Sequence, residues 1–147
     1  MSKDNLITKD FRGYKQARLP SIDESLSRVE FETPCGEYLR RYWHPVALSS
    51  EVSEVPKEIR ILGEDLVIFK TIENKIGLVH KNCPHRRASL VYGKIEKKGI
   101  RCCYHGWLFS LDGEILETPA EDTDSKSAAK LRKTFKLGAY PVKEFNG

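Results

Sequence analysis

Cys83-Pro84-His85-Arg86, followed by Cys102-Cys103-Tyr104-His105-Gly106-Trp107, is the pattern that decides the fold of this 147-residue chain. Each stretch offers one cysteine thiol and one histidine imidazole, spaced C-x-H in the first and C-x-x-H in the second. Pro84 fixes the backbone φ angle between the first thiol and the first imidazole. Gly106 permits close backbone approach directly after the last imidazole. The pattern predicts two stiff loops that bring two thiols and two imidazoles together.

Two cysteines and two histidines in this arrangement are the ligand set of a Rieske [2Fe–2S] centre, in which the cysteines bind one iron and the histidines the other. We predict that one cluster is held by Cys83, His85, Cys102 and His105, and we assign no catalytic residue. Structural zinc is an alternative, although zinc sites pair like ligands, as C-x₂₋₄-C with H-x₃₋₅-H. Two unrelated loops with buried cysteines are another, since a free cysteine often acts as a small core residue.

These residues resemble the Rieske domain of ring-hydroxylating, non-haem iron oxygenase α subunits. Residues 40–47 (RRYWHPVA) and 140–144 (YPVKE) are similar to segments of the phthalate dioxygenase-like branch, so the resemblance runs from about residue 33 to residue 147. One departure is Cys103, where such proteins usually have proline. Cys102 keeps the C-x-x-H spacing to His105, which leaves Cys103 as the spare thiol.

The resemblance implies a function in electron transfer. The cluster would relay electrons from a flavin or iron–sulfur reductase, or a ferredoxin, to the mononuclear iron of an aromatic-ring-hydroxylating or O-demethylating oxygenase. The full-length parent would be a homotrimer. In that family the mononuclear Fe(II) lies in a catalytic domain that follows the Rieske domain, and we find no two-His-one-carboxylate set for it in these 147 residues. The chain alone would therefore lack the catalytic iron site of this oxidoreductase.

The domain organisation follows from the same resemblance. We expect residues 1–30 to form an N-terminal arm and residues 31–147 to form the Rieske domain, cut off before a catalytic domain. A stand-alone Rieske ferredoxin, acting as an electron carrier, is the alternative. Two observations argue against this alternative. Ferredoxins of this type typically have a shorter N-terminal segment. The Asn146-Gly147 pair is a strong hairpin turn with no return strand after it.

Short apolar runs separated by turn residues predict a mainly β fold. We expect a Rieske-type antiparallel β-sandwich or small barrel with both cluster-binding loops at one tip. Strands are predicted at residues 59–62, 66–69, 76–79, 100–101, 107–110 and 114–116, with turns at 63–65, 73–75, 97–99 and 112–113. A last strand is predicted where Phe135, Leu137 and Ala139 alternate with Thr134, Lys136 and Gly138. Trp107 is predicted to be a core aromatic.

Short helices are predicted before the strands. Residues 21–24 (SIDE) look like a capping box, and Thr33 as N-cap with Pro34 in the first turn predicts a helix to about Tyr42. Its apolar face would comprise Tyr38, Leu39, Tyr42 and Trp43. Residues 127–132 predict a helical turn. We interpret His44 as packed or hydrogen-bonded and His80 as a solvated residue at a sheet edge.

Composition excludes some classes of partner and compartment. The formal net charge of +4 is modest and does not indicate nucleic acid binding. The sequence contains no run of 18 apolar residues, so we predict no membrane-spanning helix. No secretory signal is visible at the N-terminus. We therefore expect a cytoplasmic protein in which Cys35 and Cys103 are free thiols.

Charge is uneven along the chain. Residues 81–101 contain seven lysines or arginines (81, 86, 87, 94, 97, 98 and 101) and one acidic residue, Glu96, which gives +6. Such a run is commonly a solvated face. A more specific hypothesis is that residues 81–101 form a docking surface for an acidic reductase, since complementary charge raises the rate of encounter.

Overall fold

Two antiparallel sheets form the body of the protein in a computed structural model that describes residues 21–121 and 125–147. The first sheet has the strand order β1-β2-β3-β8. Its strands are β1 (Lys57–Ile61), β2 (Glu64–Lys70), β3 (Ile76–His80) and β8 (Ala139–Tyr140). The second sheet follows chain order, with β4 (Lys94–Glu96), β5 (Gly99–Arg101), β6 (Leu108–Ser110) and β7 (Ile115–Glu117). The prediction of a mainly β, antiparallel fold is confirmed.

Strand β2 is buried on both faces, which explains its four consecutive apolar residues. Val67 and Phe69 face a core shared by both sheets, and each is 0% exposed. Leu66 and Ile68 point the other way, into a second cluster. That cluster is covered by chain outside the sheets, including Val46, Ala47, Val52 and Val142. The shared core includes Cys83 and Cys102, the cysteines of the two motifs.

Three α-helices are described: α1 (Glu24–Ser27), α2 (Pro34–Leu39) and α3 (Lys126–Thr134). Thr33 caps α2 as predicted, because its hydroxyl accepts a hydrogen bond from the Gly36 amide at 3.2 Å. The capping box at Ser21 is wrong, since Asp23 is the N-cap of α1 and accepts from the Ser25 amide at 3.0 Å. None of the described helices is long and apolar enough to span a membrane.

The predicted apolar face of α2 is wrong. The helix ends at Leu39, and Tyr38, Tyr42 and Trp43 are 58%, 56% and 67% exposed. The side chain that turns inward is Arg40, whose guanidinium reaches Glu64 at 3.0 Å and the Leu62 carbonyl at 2.7 Å. A charged anchor therefore fixes this short helix to the first sheet.

Residues 134–138 also differ from the prediction. The helix α3 continues to Thr134, and the Phe135 amide donates to the Leu131 carbonyl at 2.9 Å, so no strand begins there. Leu137 is buried in the shared core and its amide donates to the Gly113 carbonyl at 2.8 Å. Strand β8 begins only at Ala139.

Two tight turns set the hairpins. The β1–β2 turn is Leu62-Gly63, with φ of 48° and 80°, rather than residues 63–65. Positive φ at both central residues is the type I′ pattern that matches strand twist. The predicted turn at Asp112-Gly113 is confirmed between β6 and β7. Gly113 has φ of 79°, and a Cβ there would collide with the Leu137 carbonyl oxygen.

The two histidines outside the motif have structural contacts. His44 is hydrogen-bonded as predicted, with Nε2 2.8 Å from the Leu39 carbonyl. His80 is exposed as predicted, but it does not lie at a sheet edge, because β3 lies between β2 and β8. Its Nε2 is 3.2 Å from a Glu64 carboxylate oxygen.

The N-terminal arm falls mostly outside the described residues, which begin at Ser21. Within the described part, the Thr33 hydroxyl bonds to the carbonyls of Arg28 and Glu30 at 2.8 and 2.7 Å. The boundary at residues 30 and 31 stays a prediction.

Candidate metal centre

The first motif forms a closed loop between β3 and β4. The Cys83 amide donates to the Ala88 carbonyl at 2.9 Å, and the Arg87 amide donates to the Cys83 carbonyl at 2.9 Å. Arg87 adopts a φ of 60°, a left-handed conformation that is uncommon for residues other than glycine. An isolated bridge between Asn82 and Ser89 closes the base of the loop.

The second motif repeats this backbone pattern between β5 and β6. The Cys102 amide donates to the Trp107 carbonyl at 2.8 Å, and the Gly106 amide donates to the Cys102 carbonyl at 3.1 Å. Gly106, like Arg87, is the fourth residue after its cysteine and has a φ of 73°. The two loops thus share one hydrogen-bonding scheme, although their histidines stand two and three residues after the cysteine.

The two thiols lie on the inner side of these loops. Cys83 and Cys102 are free, neighbouring cysteines, 2% and 3% exposed. Burial raises the pKa of the Cys83 thiol to about 11, although the His85 amide hydrogen bond opposes this shift, and the adjacent Cys102 raises it further. Binding a metal as thiolates would therefore release protons from this buried pair.

The two imidazoles lie on the outer side. The rings of His85 and His105 are 4.7 Å apart between centroids and inclined by 58°. Burial, and then the charges of His105 and Arg86, lower the pKa of His85. A cleft of about 200 Å³ adjoins both rings and is lined by Pro84, His85, His105, Trp107, Ala120, Glu121, Leu131 and Phe135.

Sequence reasoning missed the ring contacts that surround the imidazoles. Trp107 is buried in the core as predicted, but its indole also stacks on His85, with centroids 4.4 Å apart and planes 2° apart. The ring of Tyr104 packs against that of His105, with centroids 3.8 Å apart. The position of Trp107, two residues after His105, could have indicated an aromatic contact with an imidazole. The sequence does not reveal that this contact is with His85.

The basic run is less uniform than its composition indicates. Lys81 pairs with Glu58 at 2.6 Å, and Arg101 is bonded to Glu96 and Glu117. The remaining members, Arg86, Arg87, Lys94, Lys97 and Lys98, are exposed. Lys97 and Lys98 lie in the β4–β5 turn, at the opposite end of β5 from Cys102.

The donor set fits a Rieske cluster. Two thiols face inward and two imidazoles face outward on loops of matching backbone, which suits one iron held by sulfur and one by nitrogen. Within residues 21–121 and 125–147, no three histidine, cysteine or acidic side chains are grouped to hold a single ion. When bound, such a cluster accepts and donates one electron at a time.

Comparison with known proteins decides the family. The model of the Rieske [2Fe-2S] domain matches residues 42–143. The chain belongs to the Rieske [2Fe–2S] domain family. This confirms the resemblance to Rieske oxygenases and the expected cluster.

The similar proteins are oxygenase subunits. The chain is 55% identical over 140 residues to the tert-butanol monooxygenase / tert-amyl alcohol desaturase oxygenase subunit of Aquincola tertiaricarbonis, covering 93% of this chain and 29% of that protein. It is 42% identical over 131 residues to the phthalate 4,5-dioxygenase oxygenase subunit of Pseudomonas putida, covering 87% of this chain and 29% of the relative. The chain therefore spans about a third or less of these relatives.

Solved structures agree with the fold. A crystal structure of dicamba monooxygenase bound to dicamba superimposes with a TM-score of 0.61 and 27% identity, over 72% of this chain and 32% of that one. NdmA of Pseudomonas putida CBB5 gives a TM-score of 0.62 and 28% identity, over 76% of this chain and 34% of that one. The sandwich of this Rieske domain is thus that of known oxygenases.

Proposed function

We propose that Cys83, His85, Cys102 and His105 hold one Rieske [2Fe–2S] cluster that relays electrons from a reductase or ferredoxin to the mononuclear iron of an oxygenase. The observation that carries this proposal is the convergence of two buried thiols and two outward imidazoles on equivalent loops. Because the two imidazoles face outward, they would hold their iron on the exposed side of the site, where an electron must enter or leave.

The choice of Cys102 over Cys103 rests on burial. Cys102 is 3% exposed and lies beside Cys83, whereas Cys103 is exposed. Cys35 is also a free thiol. Uncrosslinked thiols support a reducing compartment, and we infer that the protein works in the cytoplasm.

The electron donor would dock beside the exposed imidazole. Arg86 and Arg87 belong to the first loop, and Lys94 is paired in register with Arg101, the residue before Cys102. These exposed cations favour a partner with an acidic surface, because opposite charge steers encounter. Lys97 and Lys98, at the far end of β5, would contribute less.

Oxygenation would take place outside these residues. Two protein ligands on each iron, together with the two sulfides of the cluster, would leave neither iron an open position for O₂. The two oxygenase subunits of Aquincola tertiaricarbonis and Pseudomonas putida named above are about three times as long as this chain. We infer that the parent holds its mononuclear iron in the additional chain and assembles as a trimer. The phthalate dioxygenase relative favours an aromatic substrate that is hydroxylated or O-demethylated, whereas the relative at 55% identity is named for two aliphatic tertiary alcohols.

The relay is tested with the isolated chain and a purified flavin reductase. We expect the reductase to bleach the visible absorption of the cluster, and we expect no product from candidate aromatic acids. O₂ uptake that depends on substrate and yields product would contradict the inference that oxygenation takes place outside these residues. The relay itself would be contradicted if none of the reductases and ferredoxins tested reduced a fully loaded cluster.

A further inference from the structure

Arg101 is the last residue of β5 and immediately precedes Cys102. Its side chain is 21% exposed and makes four hydrogen bonds. Nε and Nη2 form a bidentate pair with Glu96, at 2.6 and 3.1 Å. Nη2 also donates to Glu117 at 2.6 Å. Two carboxylates from β4 and β7 therefore fix the plane of the guanidinium.

The fourth bond reaches the second loop. Arg101 Nη1 donates to the Gly106 carbonyl at 2.6 Å. This carbonyl belongs to the peptide between Gly106 and Trp107, directly after His105 and directly before the indole that stacks on His85. The orientation of one peptide group thus bears on both imidazoles.

We propose that Arg101 is a positioning residue for the cluster: held by Glu96 and Glu117, it fixes the Gly106 peptide and thereby the orientation of His105 and of Trp107 against His85. The inference rests on the proposed ligand set. Only arginine offers the planar fork of donors that this geometry requires. Charge-assisted bonds of this kind are stronger than neutral ones.

The first sheet supplies a matched control. Arg40 is 15% exposed and also makes four hydrogen bonds, two to Glu64 and two to the carbonyls of Val29 and Leu62. None of these four bonds reaches either ligand loop. Replacing Arg40 by glutamine should loosen the protein to a similar degree without disturbing the cluster.

The experiment compares Arg101→Gln, Arg101→Lys and Arg40→Gln as purified proteins loaded with the cluster. We expect Arg101→Gln to release iron to a chelator about tenfold faster than the unmodified protein, a change that corresponds to about 1.4 kcal/mol. Its reduced-state electron paramagnetic resonance spectrum should broaden and its reduction potential should shift. Arg101→Lys should show the same changes, since a lysine cannot form the fork, and Arg40→Gln should show none.

Indistinguishable spectra, potentials and release rates for Arg101→Gln and Arg40→Gln would overturn the inference. Should Arg101→Gln not fold, Glu117→Ala serves instead, because Glu117 is 54% exposed and its truncation removes the acceptor on one side of the guanidinium. An unchanged spectrum and release rate in Glu117→Ala would then overturn the inference. A chemical reductant such as dithionite supplies the electrons for these measurements, so failure of the relay from a protein donor would leave them readable.

Discussion

The imidazole of His85 lies parallel to the indole of Trp107, with centroids 4.4 Å apart. The two residues come from different loops, so a side chain of the second loop fixes a proposed ligand of the first. Offset stacking of aromatic rings contributes about 0.5–1.5 kcal/mol beyond the area that it buries. The two loops are therefore coupled even before a cluster joins them.

Replacing Trp107 by leucine tests this coupling. We expect a loss of about 1–3 kcal/mol in the free energy of unfolding, from lost core volume. We also expect altered nitrogen couplings from the imidazole ligands in pulsed electron paramagnetic resonance. Phe109→Leu is the control, since Phe109 is fully buried beside Trp107 and should lower stability without changing those couplings. Equal couplings in all three proteins would show that the stack is only packing.

The left-handed conformation of Arg87 predicts a stabilising substitution. Arg87→Gly removes the steric cost of a Cβ at φ of 60°, so the free energy of unfolding should rise by up to about 1 kcal/mol, offset by the greater freedom of glycine when unfolded. Gly106→Ala is the converse, because its φ is 73° and a Cβ would lie 3.2 Å from Pro119. Denaturant titrations should move in opposite directions, and a stabilised Gly106→Ala would contradict the shared loop scheme.

The sequence was sufficient for the motif loops and most of the strands, because ligand spacing, period-two patterns and glycine turns are local signals. The end and the apolar face of helix α2, and the strand expected at residues 134–138, were mispredicted for a tertiary reason. Arg40 is drawn inward by Glu64, 24 residues away, and Leu137 is drawn into the core beside Gly113. Local patterns carry no information about such partners. For the same reason the contacts of Trp107 with His85 and of Arg101 with Gly106 appear only in the structure.

Glu64 gives the protein a predictable acid sensitivity. Partial burial alone would raise its pKa, but hydrogen bonds from Tyr140 and Arg40 outweigh burial and hold the pKa below its ordinary value of 4.5. A lowered folded-state pKa adds stability above the unfolded-state pKa, and that stability is lost as the pH falls through the folded-state value. Between pH 7 and pH 3, Glu64→Gln should therefore lose less unfolding free energy than the unmodified protein.

Urea titrations of both proteins at each pH provide the measurement, since acid loss of the cluster is common to them. Glu73→Gln, at an exposed turn residue, is the control and should track the unmodified protein. Parallel curves for Glu64→Gln and the unmodified protein would contradict the assigned role of Glu64.

Docking by charge predicts a salt-dependent rate of reduction. Arg86→Glu combined with Lys94→Glu should lower the second-order rate constant with an acidic reductase about tenfold at low ionic strength, and less at high salt. Lys97→Glu combined with Lys98→Glu makes the same change in net charge at the far end of β5. Stopped-flow rates that fall equally in both double variants would indicate a general charge effect and not a docking surface beside the imidazoles.

The central claim is the ligand set, and adjacent cysteines allow the most direct measurement of it. Iron, labile sulfide and the visible spectrum should be compared in Cys102→Ser and Cys103→Ser, purified without oxygen. We predict that Cys103→Ser retains about two irons and two sulfides per chain, the content of a [2Fe–2S] cluster, and that Cys102→Ser retains neither. Zinc without sulfide in the unmodified protein, or a cluster that survives Cys102→Ser and is lost in Cys103→Ser, would contradict the account.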